Sequence, residues 1–534
     1  MTFRTGRRFA LLPPVLSLAC LIAGGASAAT GPDPATGTAD QFFGLDKVYT
    51  FHLTMTAAEY QKLEPPNGGS MARPGISGDD RYPTSTAALE FEGQNWGTLS
   101  LRYKGNSSYR SAGALKRPIK LEFEGADGAK DKSRTFFGMA KLNLNNNAMD
   151  ASQMHEALGY DVFREEGVPC ARTAFAKLYL TVPGVYDNRY AGLYTVVEQI
   201  DQTFFKDRFG KKTGPLVKPE GLNGMPYLGE DWAQYLVPYG AKSTDKIDPE
   251  DAKRFIAFVK FVKQASDEEF AKGIGDLVDV DEFLHFLAVE VMTVNLDSPL
   301  GMNHNYYITI NPKTQKVIWV PWDLNLAFAG FGGGGRGGRG GGPGGGGANA
   351  QQDLSINKPS SMGQFPLADR ILADPAFLKQ YDAIVRDLVE KNFTVKRLGD
   401  RIELMDRAIR AAVQTDAAVP FAQFEKNVSP DGTAPTASEA TGPQMVSAGP
   451  PSNGGFVVID PTPPGGGFGG GGFGRGGRGG PGGPGGMGGP PLRQFIALRV
   501  ESVLEQLDGK RTGFTSTGRG GRGGFGGGRG GFGN

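Results

Sequence analysis

Apolar and polar positions change rhythm partway along this chain. In the first half, short β-rich runs separated by turn residues predict strands at Val48–Thr54, Ala87–Glu92, Thr98–Lys104, Pro118–Glu124, Phe175–Thr181 and Tyr190–Gln199. Two helices interrupt them. One covers Thr56–Leu63, entered through a Thr cap with Glu59 three residues on. The other is predicted from a capping box at Asp150 and Gln153 through Arg164, where Gly167-Val168-Pro169 ends it. Between strands, Gly105–Ala114 reads as a polar turn. From Asp248, an N-cap with Pro249 just inside, the period becomes helical over 250–264, 281–295, 366–390 and 395–413. A last stripe comprises Leu492, Phe495, Ile496, Arg499, Val500, Val503, Leu504 and Leu507. The pattern predicts an α+β protein with a β-rich first part and a helical second part.

The chemistry concentrates where the helical regime meets a hairpin. Phe283, Leu284, Leu287, Val291 and Met292 lie at helical spacing and lead into a polar loop carrying Asp297, Asn303 and Asn305. Two β-rich runs follow, Tyr306–Ile310 and Lys316–Val320, joined by a turn that opens with Asn311-Pro312, and Asp323 stands at the exit. A carboxylate, an amide and a second carboxylate in this order suit phosphoryl transfer. That reaction needs one carboxylate to accept a hydroxyl proton and oxygen ligands to hold Mg²⁺ against phosphates.

Composition narrows the rest. Of 534 residues, 82 are Gly and 36 are Pro, concentrated in the tracts Gly330–Gly347, Gly465–Gly489 and Gly518–Asn534, which are expected to be disordered because they cannot bury enough apolar surface. Arg-Gly-Gly repeats in them suggest single-strand RNA contact, but a formal net charge of +1 argues against a nucleic-acid binder and favours flexible spacers. Arg4, Arg7 and Arg8, the apolar run Phe9–Ile22 and Ala26-Ser27-Ala28 form a signal-peptide pattern, so the mature chain is expected to be secreted, periplasmic or at the cell surface, without a transmembrane segment. A lipid anchor at Cys20 is disfavoured by the residues before it, and Cys170 then remains as a buried, inert thiol. Four His without a His-x-x-x-His pair disfavour zinc.

Several longer stretches resemble the spore-coat protein H (CotH) kinase-like family of atypical secreted or spore-surface kinases. They are Arg102–Ser108, Lys116–Phe123, Gly192–Asp201, His304–Tyr307 and Pro321-Trp322-Asp323, and the likeness runs from about Val48 to Lys510 apart from the Gly-rich insertions. The resemblance implies an atypical protein-kinase-like two-lobed fold, with ATP and Mg²⁺ (or Mn²⁺) as cofactors. The corresponding division is a signal peptide (1–28), a linker (29–44), a β-rich lobe (45–201) and the start of a helical lobe with catalytic loop and metal motif (202–329). An insertion (330–350), more of the helical lobe (351–425), a second insertion (426–490), a final helix (491–510) and a tail (511–534) follow.

By that resemblance Asp297 is the catalytic base, and Asn305 and Asp323 hold metal. Asn325 stands where the family often has a second acid, which removes a negative charge from the site. The turn at Asn106, Ser107 and Ser108 is expected to cover phosphates. On the following strand Lys116, Lys120 and Glu122 share a face, and Lys120 is preferred to Lys116 as the phosphate-binding lysine, with Glu156 as its helix partner. Glu198 is expected either to line the nucleotide cleft or to cap a turn with Lys206. The resulting expectation is transfer of the ATP γ-phosphoryl group to Ser or Thr of an unknown protein substrate. The alternative is a kinase-shaped surface or coat protein that is weak or inactive and acts by binding a partner.

Overall fold

Seven strands of the first half close on themselves. The structure, a computed structural model, describes Met1 and residues 33–65, 82–111, 113–123, 134–242, 247–330, 348–430 and 490–516. The signal-peptide pattern, Cys20 and the Gly-rich tracts apart from Gly330 lie outside these residues. The strands are β1 (Val48–Thr54), β2 (Ser85–Phe91), β3 (Gln94–Tyr103), β4 (Ile119–Glu122), β5 (Lys141–Asn145), β6 (Thr173–Val182) and β7 (Tyr186–Glu198), in barrel order β1-β2-β3-β4-β5-β7-β6. Neighbours are antiparallel except at the seam, where β1 and β6 pair in parallel with Phe51 opposite Leu178. Alternation sends Phe51, Leu101, Leu121, Leu144 and Val196 inward into one core. Phe42 of α1 (Ala39–Phe42), Phe123 and Phe136 belong to the same cluster, Phe123 and Phe136 stacked with ring centroids 4.7 Å apart. The short helix α2 (Ala57–Lys62) begins as the sequence predicts, Thr56 accepting the Glu59 N–H at 3.1 Å.

The opposite face of the barrel is where the site is built. Residues facing outward from β6 and β7 (Phe175, Leu193, Val197) join a second core with the helices that follow. These are α4 (His155–Glu165), which comes after the short α3 (Ser107–Ser111), then α5 (Gln202–Phe209), α6 (Pro249–Gln264), α7 (Asp267–Leu277) and α8 (Val280–Met292). A small sheet, β10-β9-β8, is formed by β8 (Gly214–Val217), β9 (Tyr306–Ile310) and β10 (Val317–Pro321). The helices α9 (Pro366–Ala373), α10 (Pro375–Lys391), α11 (Val395–Gln414), α12 (Phe421–Val428) and α13 (Leu492–Leu507) complete this body. Mixed α+β architecture is thus as expected, while barrel closure was not foreseen. Among the described residues no helix is long and apolar enough to cross a membrane.

Three local expectations are corrected. Residues 366–390 are two helices, because Pro375 cannot continue the hydrogen-bond ladder and Asp374 caps the second helix from Ala376 N at 2.8 Å. Asp150 does not start α4. It closes a turn instead, accepting from Ser152 N and His155 N at 2.8 Å each. The polar turn Gly105–Ala114 contains α3, and β4 begins at Ile119, so Lys116 precedes the strand. The β5 and β8 strands, five and four residues long, left too short a pattern to detect.

Candidate active site

The loop from Val294 to Asn305 is tightly folded. At the end of α8 the Thr293 hydroxyl donates back to Val289 O at 2.8 Å, and Val294 takes a left-handed φ of 48°. A β-branched residue rarely adopts that conformation, so the surrounding packing must hold it there. Ser298 O then accepts from the N–H groups of Gly301, Met302 and Asn303, closing a turn that presents Asp297 at its start. The Asn305 amide donates to both Asp297 O (3.1 Å) and Asp297 Oδ2 (2.9 Å).

Hairpin register brings in the second acid. Tyr306 lies opposite Pro321, so Asn305 faces Trp322, whose N–H donates to Asn305 O at 2.9 Å. Asp323 follows with φ 54°, its N–H donating to the Tyr160 hydroxyl at 3.1 Å. Tyr160 is fully buried on α4, one turn beyond Glu156. Glu156 accepts from Asn145 Nδ2 at 2.9 and 2.8 Å, and Asn145 Oδ1 accepts from Lys104 Nζ at 2.7 Å. The amide therefore joins a lysine at the end of β3 to a glutamate on α4, its donor end toward the carboxylate and its acceptor end toward the ammonium. Lys104 also lies 5.2 Å from the Trp322 ring centroid.

Electrostatics tie these groups together. Burial, then the nearby Asp323, pushes the Asp297 carboxyl up to about 7. Burial and Asp323 likewise push Glu156 up to about 8. Asp323 thus lies within the field of both Asp297 and Glu156, and a cation bound there would relieve the repulsion on either side. Among the described residues no group of three His, Cys, Asp or Glu is arranged to hold a metal alone. The oxygen-bearing side chains that could hold one are Asp323 and Asn305 with Asp297 alongside, a sparse set of the kind Mg²⁺ completes with water and phosphate oxygens.

The remaining predicted residues are placed as follows. Ser107 and Ser108 open α3, immediately after Asn106. Asn146, next to Asn145, holds Ser108 O at 3.0 Å, so this turn sits at the same barrel end as Lys104. Lys120 is buried opposite Arg102 and Asn143, two residues along the sheet from the Lys104 level and within the field of Asp201. Lys116 is turned away, paired with Asp416 beyond α11. The Glu198 carboxylate is occupied by Arg172 and Arg208, whose charges outweigh its burial and hold it below the ordinary glutamate value. Cys170 is buried, its thiol pushed up to about 12, in keeping with an unreactive core residue.

Sequence reading missed Lys104, Asn145 and Tyr160 as parts of this cluster. The available signal was that Lys104 shares a strand face with Arg102 and directly precedes Gly105. No curated protein matches the chain. The family model for CotH kinase protein matches residues 101–427, more than half of the chain, and leaves β1, β2 and α13 outside. With that match spanning Asp297, Asn305 and Asp323, the chain belongs to the CotH kinase protein family.

Proposed function

We propose that this protein is an ATP-dependent phosphotransferase that moves the γ-phosphoryl group to Ser or Thr hydroxyls of a protein substrate, at the cell surface or after export. In this reading the barrel acts as the nucleotide-covering lobe and the helical body as the second lobe of a kinase-like fold. The observation that carries it is the meeting of Asp297, Asn305 and Asp323 through a hydrogen bond, the hairpin register and a shared field.

Asp297 orients the acceptor hydroxyl and takes its proton, a role suited to a carboxyl held near 7. Asn305 and Asp323 supply oxygen ligands, and Tyr160 fixes the Asp323 backbone that aims its side chain. Between them Asn305 and Asp323 would hold a Mg²⁺ or Mn²⁺ ion, which would supply positive charge against the nucleotide phosphates. Lys104 is the cation best placed beside these acids to reach nucleotide phosphates. Its geometry favours it over Lys120, because Asn145 and Glu156 hold it toward Asp323. The turn at Asn106–Ser108 would cover the phosphates from above.

The test is incorporation of label from γ-labelled ATP with Mg²⁺ or Mn²⁺, comparing the unmodified chain with Asp297→Ala and Asp323→Ala. Label abolished by both substitutions supports the reading, and label that survives both refutes it. Asn325 in place of an acid favours a second reading, a partner-binding protein without catalysis. That reading predicts no label and no thermal shift with ATP and metal.

A further inference from the structure

Phosphoryl transfer spreads negative charge over the oxygens of the moving group, and a cation aimed there is a recurrent device. The turn after Asp297 supplies none, since Ser298-Pro299-Leu300-Gly301-Met302-Asn303 holds no Lys or Arg. A different segment lies against that turn. Gly221 N donates to Asn303 O at 2.8 Å, and Asn303 Nδ2 donates to Asn223 Oδ1 at 2.8 Å. The same segment carries Lys218, directly after β8, whose Val217 pairs with Ile308 of β9. Its backbone is pinned on the other side, where Lys218 N donates to Gly240 O at 3.2 Å. Gly240 has φ 59°, and a Cβ there would collide with the Lys218 carbonyl, so glycine permits the close approach.

We propose that Lys218 is a catalytic residue whose ammonium, paired with Glu220 in this structure, contacts the phosphoryl group in flight to the acceptor hydroxyl. This rests on the phosphotransferase reading above. The pair spans 2.9 Å, and the lysine side chain keeps 17% of its surface exposed. Lys218 lies within the field of Asp297, pulling that carboxyl's pKa down against burial, and within that of His304. In the step itself, the acceptor oxygen bonds to the γ-phosphorus as the bond from that phosphorus to the β–γ bridging oxygen breaks. The hydroxyl proton passes to Asp297, ADP leaves with the bridging electron pair, and Lys218 supplies charge and hydrogen bonds without losing a proton.

The experiment compares the full chain with Lys218→Met, Lys218→Arg and Glu220→Gln, measuring label transfer over a range of ATP and the thermal shift produced by ATP with Mn²⁺. Lys218→Met is expected to lower kcat about 10²–10³-fold, the usual cost of removing one donor to developing charge. Its KM for ATP and nucleotide-induced thermal shift should stay near those of the unmodified chain, and Lys218→Arg should recover part of the rate. Glu220→Gln should be far milder, whereas a purely structural pair predicts equal losses from Glu220→Gln and Lys218→Met. Equal losses, or Lys218→Met transferring label at the unmodified rate, overturn the Lys218 assignment alone. An unmodified chain that transfers no label overturns the phosphotransferase reading, and this assignment with it.

Discussion

Replacing Asp416 by Ala should weaken the joint between the helical body and the barrel. Asp416 follows α11 by two residues, yet its carboxylate reaches the barrel, pairing with Lys116 and accepting Leu193 N at 2.8 Å. Its other oxygen accepts Ala418 N at 3.0 Å. The two side chains are only 2% and 1% exposed, and burial pushes the Lys116 ammonium below its ordinary value despite the pull of Asp416. Gly192, at φ 129°, makes room for the pair, because a Cβ there would strike the carboxylate. Removing the acid strands a buried ammonium and orphans two backbone donors, for an expected loss of about 3–5 kcal/mol. Against a typical domain stability of about 5–15 kcal/mol, that is a large fraction. Lys116→Met should cost less, since Asp416 keeps both N–H donors. The double variant Lys116→Met/Asp416→Ala should recover part of the loss, giving a coupling of roughly 2 kcal/mol or more in a double-mutant cycle. Urea unfolding of all four chains provides the measurement. Single losses below about 1 kcal/mol that simply add would refute the reasoning, because they would mean that the charges are solvated.

Two further predictions concern groups that hold the site's scaffold. Arg499 of α13 is fully buried and donates to Gln352 O (2.7 Å), Leu354 O (2.7 Å) and Val291 O (3.0 Å), joining the final helix to the end of α8, so Arg499→Met should destabilise by several kcal/mol at about 1–3 kcal/mol per orphaned buried group. A denaturant midpoint within error of the unmodified chain would count against it. His285 Nδ1 lies 3.0 Å from Glu166, and this contact, working against burial, raises the imidazole above its ordinary value. A raised folded value means that the pair's stabilisation is complete below the unfolded imidazole pKa of about 6.5 and is lost as pH climbs through the folded one. The stability advantage over His285→Gln should therefore be larger at about pH 6 than at about pH 8.5, and an advantage independent of pH would contradict this.

Local chemistry was legible wherever a signal is short-range. β1 spans the same residues in the structure as in the sequence reading, Thr56 caps α2, and β9 and β10 form the expected hairpin, because turn residues and alternation act over a few positions. The meeting of Asn305 and Asp323 follows from that hairpin register, so most of the acid–amide cluster was implicit in one short stretch. The lysines around the site show where such reading ends. Face alternation on β4 could not reveal that Lys116 is consumed by Asp416, 300 residues away, or that Lys104 would reach Glu156 through Asn145.

The amino-acid order by itself determined the two regimes of periodicity, several helix starts and the loop-hairpin unit that carries Asp297, Asn305 and Asp323. Tertiary structure decided that β1 and β6 close a barrel, which lysine faces the acids, and that Arg499 props α8 from the far end of the chain. The reason is that periodicity states which face of an element is buried but not what covers it. A buried charge or carbonyl takes whichever partner the packed chain brings near, and that choice exists only once distant segments have met.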